Sequence, residues 1–201
     1  MSRSARGVFA LSAVLVLTVA LPAYAFDSDL TFQKGTWIGS LEGGGGSQNN
    51  IENHRRQTGI ELWYAGARLS YLPWGPIGSG FFHGAFEPGL EAIYQGYTKP
   101  ADKYYAGLAL SARYHFLSLG RFVPYVELLA AAGGTNLRVI EIDSDFAFWL
   151  AGGIGASFFV TDNLALYAGY RMIHVSNGNT SQPNRGFEAN TGVAGVSFFF
   201  K

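Results

Sequence analysis

Beyond residue 34 the chain alternates. Apolar positions trade places with polar or small ones over stretches of about ten to fourteen residues, each closed by glycine, proline, asparagine or aspartate. A period of two puts every second side chain on one face, which is the geometry of a β-strand. Eight such segments are predicted, near 35–44, 57–72, 82–97, 104–117, 122–134, 145–160, 164–176 and 188–200. A helical reading fails, because no 3.6-residue period is sustained and each glycine would cost about 1 kcal/mol in a helix.

The two faces of each strand differ in kind. In the fourth segment Tyr104, Ala106, Leu108, Leu110, Ala112, Tyr114 and Phe116 share one side, and Ser111, Arg113 and His115 share the other. In the sixth, Phe146, Phe148, Leu150, Ile154, Phe158 and Val160 lie together opposite mostly small residues. Apolar outside and polar inside is the pattern of a barrel that meets lipid. The same parity sends Arg68, Glu87, Glu91, Arg113, Glu127 and Arg171 inward, three bases against three acids. Eight strands leave a lumen that side chains fill, so a paired charge network plugging the interior is expected rather than an open channel.

Composition agrees. Charged residues are 14% of the chain, aromatics are 15%, and there are 27 glycines; soluble domains average about 25% charged residues. The first 25 residues carry Arg3 and Arg6, an apolar run from Gly7 to Leu21, and Ala23-Tyr24-Ala25. These are the three parts of a secretory signal peptide, expected to be cut after Ala25, too short in its apolar run for a membrane anchor. Residues 26–201 then form one all-β domain, an eight-stranded antiparallel transmembrane β-barrel. Its expected place is the outer membrane of a Gram-negative bacterium. With a net charge of zero there is no electrostatic footprint for nucleic acid. Without cysteine there is no disulfide, thiol nucleophile or thiolate metal site.

Topology follows from the termini, both expected in the periplasm. Residues 118–121 and 161–163 are short periplasmic turns and 73–81 a long one, leaving 45–56, 98–103, 135–144 and 177–187 as outer loops. The run Gly43–Gly46 is expected to end the first strand as a flexible joint. Pro88 and Pro124 fall inside strands, where proline marks a bulge or a boundary. His83 and His115 are assigned structural roles. His54, Arg55, Arg56, Lys99, Lys103 and Arg185 are read as a solvated loop surface.

Chemistry concentrates at the end of the seventh segment, Arg171-Met172-Ile173-His174-Val175-Ser176-Asn177-Gly178. His174 and Ser176 are two apart on a strand and project side by side. Imidazole is the usual base that turns a serine hydroxyl into a nucleophile, and a carboxylate must then orient the imidazole. Glu188 opens the next antiparallel strand at the same outer end. His174 and Ser176 share the parity of Leu164, Leu166, Tyr170 and Met172, so the pair faces lipid, where polar groups need a reason to be.

The stretch from Tyr170 to Glu188 resembles the outer-membrane lipid A 3-O-deacylases of the PagL type. Their His-x-Ser-Asn on the penultimate strand reads here His174-Val175-Ser176-Asn177; their Asn-x-Gly loop reads Asn184-Arg185-Gly186; their triad glutamate is Glu188. The resemblance implies a carboxylic ester hydrolase acting on lipopolysaccharide at the 3-position acyl ester. Ser176 would be the nucleophile, His174 the base, Glu188 the orienting acid, Asn184 the oxyanion donor and Asn177 the second candidate for that role. It implies no metal and no cofactor. The partners expected are lipid A and the surrounding outer-membrane lipids, and a homodimer is compatible with the reading. Gly178 and Gly186 are expected to serve backbone geometry. The chain departs from such barrels in ending on Lys201 after three phenylalanines. Two rivals stand beside this reading: a non-catalytic small barrel, adhesin or structural, and an esterase of phospholipids.

Overall fold

The computed structural model describes residues 26–49 and 56–201. The expected signal peptide, residues 1–25, lies outside them, as do His54 and Arg55. Eight antiparallel strands close on themselves: β1 Trp37–Gln48, β2 Glu61–Tyr71, β3 Gly84–Lys99, β4 Lys103–Phe116, β5 Phe122–Thr135, β6 Phe146–Phe159, β7 Leu164–Ser176 and β8 Phe187–Phe200. Each strand pairs with its sequence neighbours, and β1 pairs with β8 to remove the last edge.

The expected faces hold. Leu108, Leu110, Phe148, Leu150 and Ile154 are exposed on the outer wall, while Arg113, His115, Trp149 and Ile173 are buried. The two prolines do not form bulges. Pro88 pairs with Ala112 on β4 and lies one residue beyond the last β2–β3 pair, Ser70–Gly89. Pro124 pairs with Ala156 on β6 and lies one residue beyond the last β4–β5 pair, His115–Tyr125. Each sits where one of its two ladders has run out, a place that tolerates a missing N–H.

The first strand corrects its expected boundary. Gly43–Gly46 do not end β1; they lie within it, and the strand runs on to Gln48. The reason is close approach. A Cβ on Gly44 would stand 2.1 Å from the Gly192 carbonyl oxygen, and one on Gly46 2.0 Å from that of Asn190. Only glycine lets β1 and β8 come together there.

The lumen is filled in three layers. At the end that carries both termini a four-residue helix, Ser28–Thr31, is capped by Asp27, whose carboxylate accepts from the Asp29 and Leu30 amides at 3.0 and 3.2 Å. It delivers Phe32 into a cluster with Ile38, Leu72, Val123, Phe159 and Phe199. The middle layer is the anticipated charge network, enlarged. Arg171 bonds Glu127 at 2.6 Å and also Glu42, a fourth acid whose strand parity likewise points inward. Arg113 meets Glu127 at 2.8 Å, Arg68 meets Glu91 at 2.6 Å, and His115 meets Glu87 at 2.6 Å. The outer layer is apolar again, with Tyr97, Tyr105, Trp149 and Phe187 packed under Ile60, Leu137 and Ile142 from the outer loops.

Candidate active site

Strand β7 carries His174 and Ser176 at its outer end, and its register with β8 and β6 fixes what each of them meets there. His174 pairs directly with Glu188 on β8 and with Leu150 on β6; Ser176 pairs with Phe148. Directly opposed residues of an antiparallel pair hold their Cβ atoms about 4.5–5.5 Å apart. The cross-strand pair is closed by a hydrogen bond, His174 Nδ1 to Glu188 Oε1, at 2.9 Å. Both side chains are partly open, at 38% and 22% exposure.

That bond selects a tautomer by its chemistry. A carboxylate only accepts, so Nδ1 donates its proton to Glu188 and the Nε2 lone pair of a neutral imidazole is left for another donor. Ser176 is on the same face two residues away, roughly 6.6 Å along the strand, a span that an imidazole and a hydroxymethyl group can bridge. No hydrogen bond joins Ser176 to His174 among the described residues. Catalytic contacts of this kind are often loose before substrate binds.

The two asparagines part company. The Asn177 side chain is buried, with Nδ2 donating to the Ser181 carbonyl and hydroxyl at 3.0 and 2.8 Å, and Oδ1 accepting from the Asn179 amide at 2.9 Å. It builds the loop 177–186, and its amide protons are already engaged there rather than turned toward an oxyanion. The Asn177 backbone N–H donates to Asn184 Oδ1 at 2.9 Å. Since that oxygen faces an N–H, the Asn184 Nδ2 group is the one left to donate.

Gly186 closes the site from above. Its φ is +66°, and a Cβ there would lie 2.8 Å from His174 Cε1 and 3.0 Å from the Val175 carbonyl oxygen. Gly178 is likewise left-handed, at φ +64°, with Phe148 filling the space a side chain would need. Both glycines therefore serve backbone geometry, as expected.

An apolar groove of about 590 Å³ runs over the outer wall and ends at His174. Register explains it. Leu110, Ala130, Leu150 and His174 form one cross-strand row, and Ala112, Leu128, Gly152 and Met172 form the next. Small residues interrupt large ones in both rows, at Ala130 in the first and at Ala112 and Gly152 in the second, leaving a trough across β4 to β7, roughly 14 Å at ordinary strand spacing. Below Glu188, Tyr170 donates to Asn190 Oδ1 at 2.5 Å, a polar pair that the parity of β8 made findable. Two of the loop cations are engaged: Lys99 pairs with Glu61 at 2.7 Å, and Arg185 Nη2 donates to the Arg56 carbonyl at 3.2 Å. No cluster of three metal-ligating side chains occurs among the described residues.

A closed barrel with an apolar outer wall, a filled lumen and a polar set at its outer rim defines the class as an integral β-barrel of the Gram-negative outer membrane. Within that class, the sequence profile of the lipid A 3-O-deacylase (PagL) family matches residues 63–197, and the chain belongs to this family. The crystal structure of the outer-membrane enzyme PagL superposes with a TM-score of 0.59 at 19% identity, over 78% of this chain and 97% of that one. Neisserial surface protein A superposes almost as well, at 0.58 and 17% identity, over 83% and 100%. The barrel alone therefore does not separate the two; the family profile does. Among curated proteins no match is found.

Proposed function

We propose that the protein hydrolyses the 3-position acyl ester of lipid A, using Ser176 as nucleophile, His174 as base, Glu188 as orienting acid and Asn184 as oxyanion donor. The observation that carries this reading is the His174–Glu188 hydrogen bond at 2.9 Å, standing on the lipid-facing wall at the end of an apolar groove. Ser176 Oγ attacks the ester carbonyl while His174 Nε2 takes its proton. The developing imidazolium is held by Glu188. The carbonyl oxygen becomes an oxyanion, and Asn184 Nδ2 donates to it. The tetrahedral intermediate collapses, His174 protonates the departing sugar oxygen, and the acyl group stays on Ser176. Water, activated by the same imidazole, then frees the 3-hydroxy fatty acid. The groove takes the acyl chain, which keeps its apolar contacts in membrane and enzyme alike.

The test is direct. Purified protein in detergent should release 3-hydroxy fatty acid from lipopolysaccharide, read by gas chromatography and mass spectrometry, and EDTA should leave the rate unchanged. Ser176→Ala should abolish release while the barrel keeps its folded electrophoretic mobility. Full activity in that variant removes Ser176 from its role. Release from phospholipid but not from lipopolysaccharide removes the substrate.

A further inference from the structure

The outer loops meet at one buried carboxylate that the mechanism does not use. Glu141, in the β5–β6 loop, is wholly buried. Its Oε1 accepts from Gln48 Nε2 and from the Thr58 amide, both at 2.8 Å, and its Oε2 accepts from Thr58 Oγ1 at 2.6 Å. Gln48 in turn accepts from the Gly59 and Ile60 amides at 2.7 and 3.0 Å. The side chain is thus moored to the β1–β2 connection. Its main chain does something else. The Glu141 carbonyl oxygen accepts from both the Arg185 amide at 2.8 Å and the Gly186 amide at 3.1 Å. The next residue, Ile142, bridges Asn184, and Ser181 Oγ donates to the Asp143 carbonyl at 2.7 Å.

We infer that Glu141 is a positioning residue: its moored carboxylate holds its carbonyl where that oxygen sets the height of Asn184 and Gly186 over His174 and Ser176. The inference rests on the hydrolase reading above. The tolerance is small, since Gly186 already lies so close to the imidazole that a Cβ would stand 2.8 Å from it. The segment 184–186 has no strand ladder of its own to fix it: beside the Asn177 amide on Asn184 Oδ1 and Arg185 on the Arg56 carbonyl, its main chain leans on the β5–β6 loop, which Arg138 braces internally through Asp143 at 2.8 Å and which Glu141 ties to the β1–β2 connection. The role needs acceptors and a shape, and it needs no charge. A glutamine at 141 can keep the arrangement: its oxygen accepts from Gln48 and the Thr58 amide, and its NH2 donates to Thr58 Oγ1, which accepts as readily as it donates.

The experiment compares Glu141→Ala and Glu141→Gln in the full, folded protein with lipopolysaccharide as substrate. Amide hydrogen exchange at Arg185 and Gly186 is followed by NMR in micelles. Glu141→Ala should lower kcat about tenfold to a hundredfold with KM little changed, because misplacing a donor by about 1 Å costs that much. Exchange at Arg185 and Gly186 should quicken in the same variant. Glu141→Gln should restore most of the rate and the protection. An unchanged kcat in Glu141→Ala overturns the proposal, as does undisturbed amide protection. Equal losses in the alanine and glutamine variants overturn it too, since the charge itself would then matter. If Glu141→Ala does not fold, Gln48→Leu with Thr58→Val removes both side-chain donors and leaves only the Thr58 amide; it should lower kcat and loosen the same amides, and no change in either overturns the proposal. Wild-type protein inactive on lipopolysaccharide refutes the proposed function, while the exchange measurement still decides the claim about Glu141.

Discussion

A histidine on a lipid-facing wall is ordinarily a costly residue, and His174 is tolerated there because a carboxylate meets it. The match is one residue wide in register: Glu188 lies directly opposite, and a one-residue slip would turn it to the lumen. The neighbours are specified as tightly. Gly186→Ala adds a Cβ 2.8 Å from the imidazole in a left-handed position. It should lower kcat about a hundredfold, the scale of a displaced catalytic group, while the thermal melt moves little; steady-state kinetics on lipopolysaccharide would show it. Asn184→Ala should cost about 10²–10³ in kcat with KM nearly constant, as loss of one oxyanion donor does. An Asn184→Ala enzyme with wild-type kcat would move that role elsewhere.

At the scale of elements, the seam between β1 and β8 makes the barrel and the site together. β8 carries Glu188 on one side and is bound to β1 on the other. The glycines of β1 let that seam close, since Gly44 and Gly46 each face a backbone oxygen of β8. Gly46→Val should therefore prevent closure. Its signature would be loss of the compact, heat-modifiable band on unboiled electrophoresis, whereas Gly39→Val, near only a Phe200 ring edge, should leave that band in place. This strand is also the one whose extent the pattern hides. Four glycines in a row carry no alternation, so the periodicity stops at Leu41 and Glu42, although the pairing does not.

For the molecule as a whole, the lumen is held by charges that satisfy one another. Arg171 links Glu127 and Glu42 across the interior, and all three are buried. Arg171→Met leaves two carboxylates short of a partner and should cost about 3–5 kcal/mol, the usual penalty for breaking a buried ionic group from one side. Urea unfolding of the refolded barrel would measure it. With apolar layers above and below the network, planar bilayers holding the protein should show no steady conductance; open-channel currents would contradict the filled lumen.

Much of this was written in the chain. Strand parity is local: a two-residue period sorts each side chain inward or outward without knowledge of its partners. Parity alone therefore assigns Arg68, Glu87, Glu91, Arg113, Glu127 and Arg171 to the interior, where all six are buried. The motif His174-Val175-Ser176 with Glu188 across a loop belongs to the same kind of information, because a hairpin brings near in space what is near in sequence. The rest needed the closed structure. Spacing alone does not separate Asn177 from Asn184, although the family resemblance ranks Asn184 first; the loop's own hydrogen bonds engage the Asn177 amide protons and occupy Asn184 through its oxygen. Between Glu141 and Asn184 run the whole of β6 and β7, so no spacing in the chain links them. Their meeting exists only because the barrel closes and gathers its outer loops over one rim, where the Glu141 carbonyl can reach the amides beside Asn184.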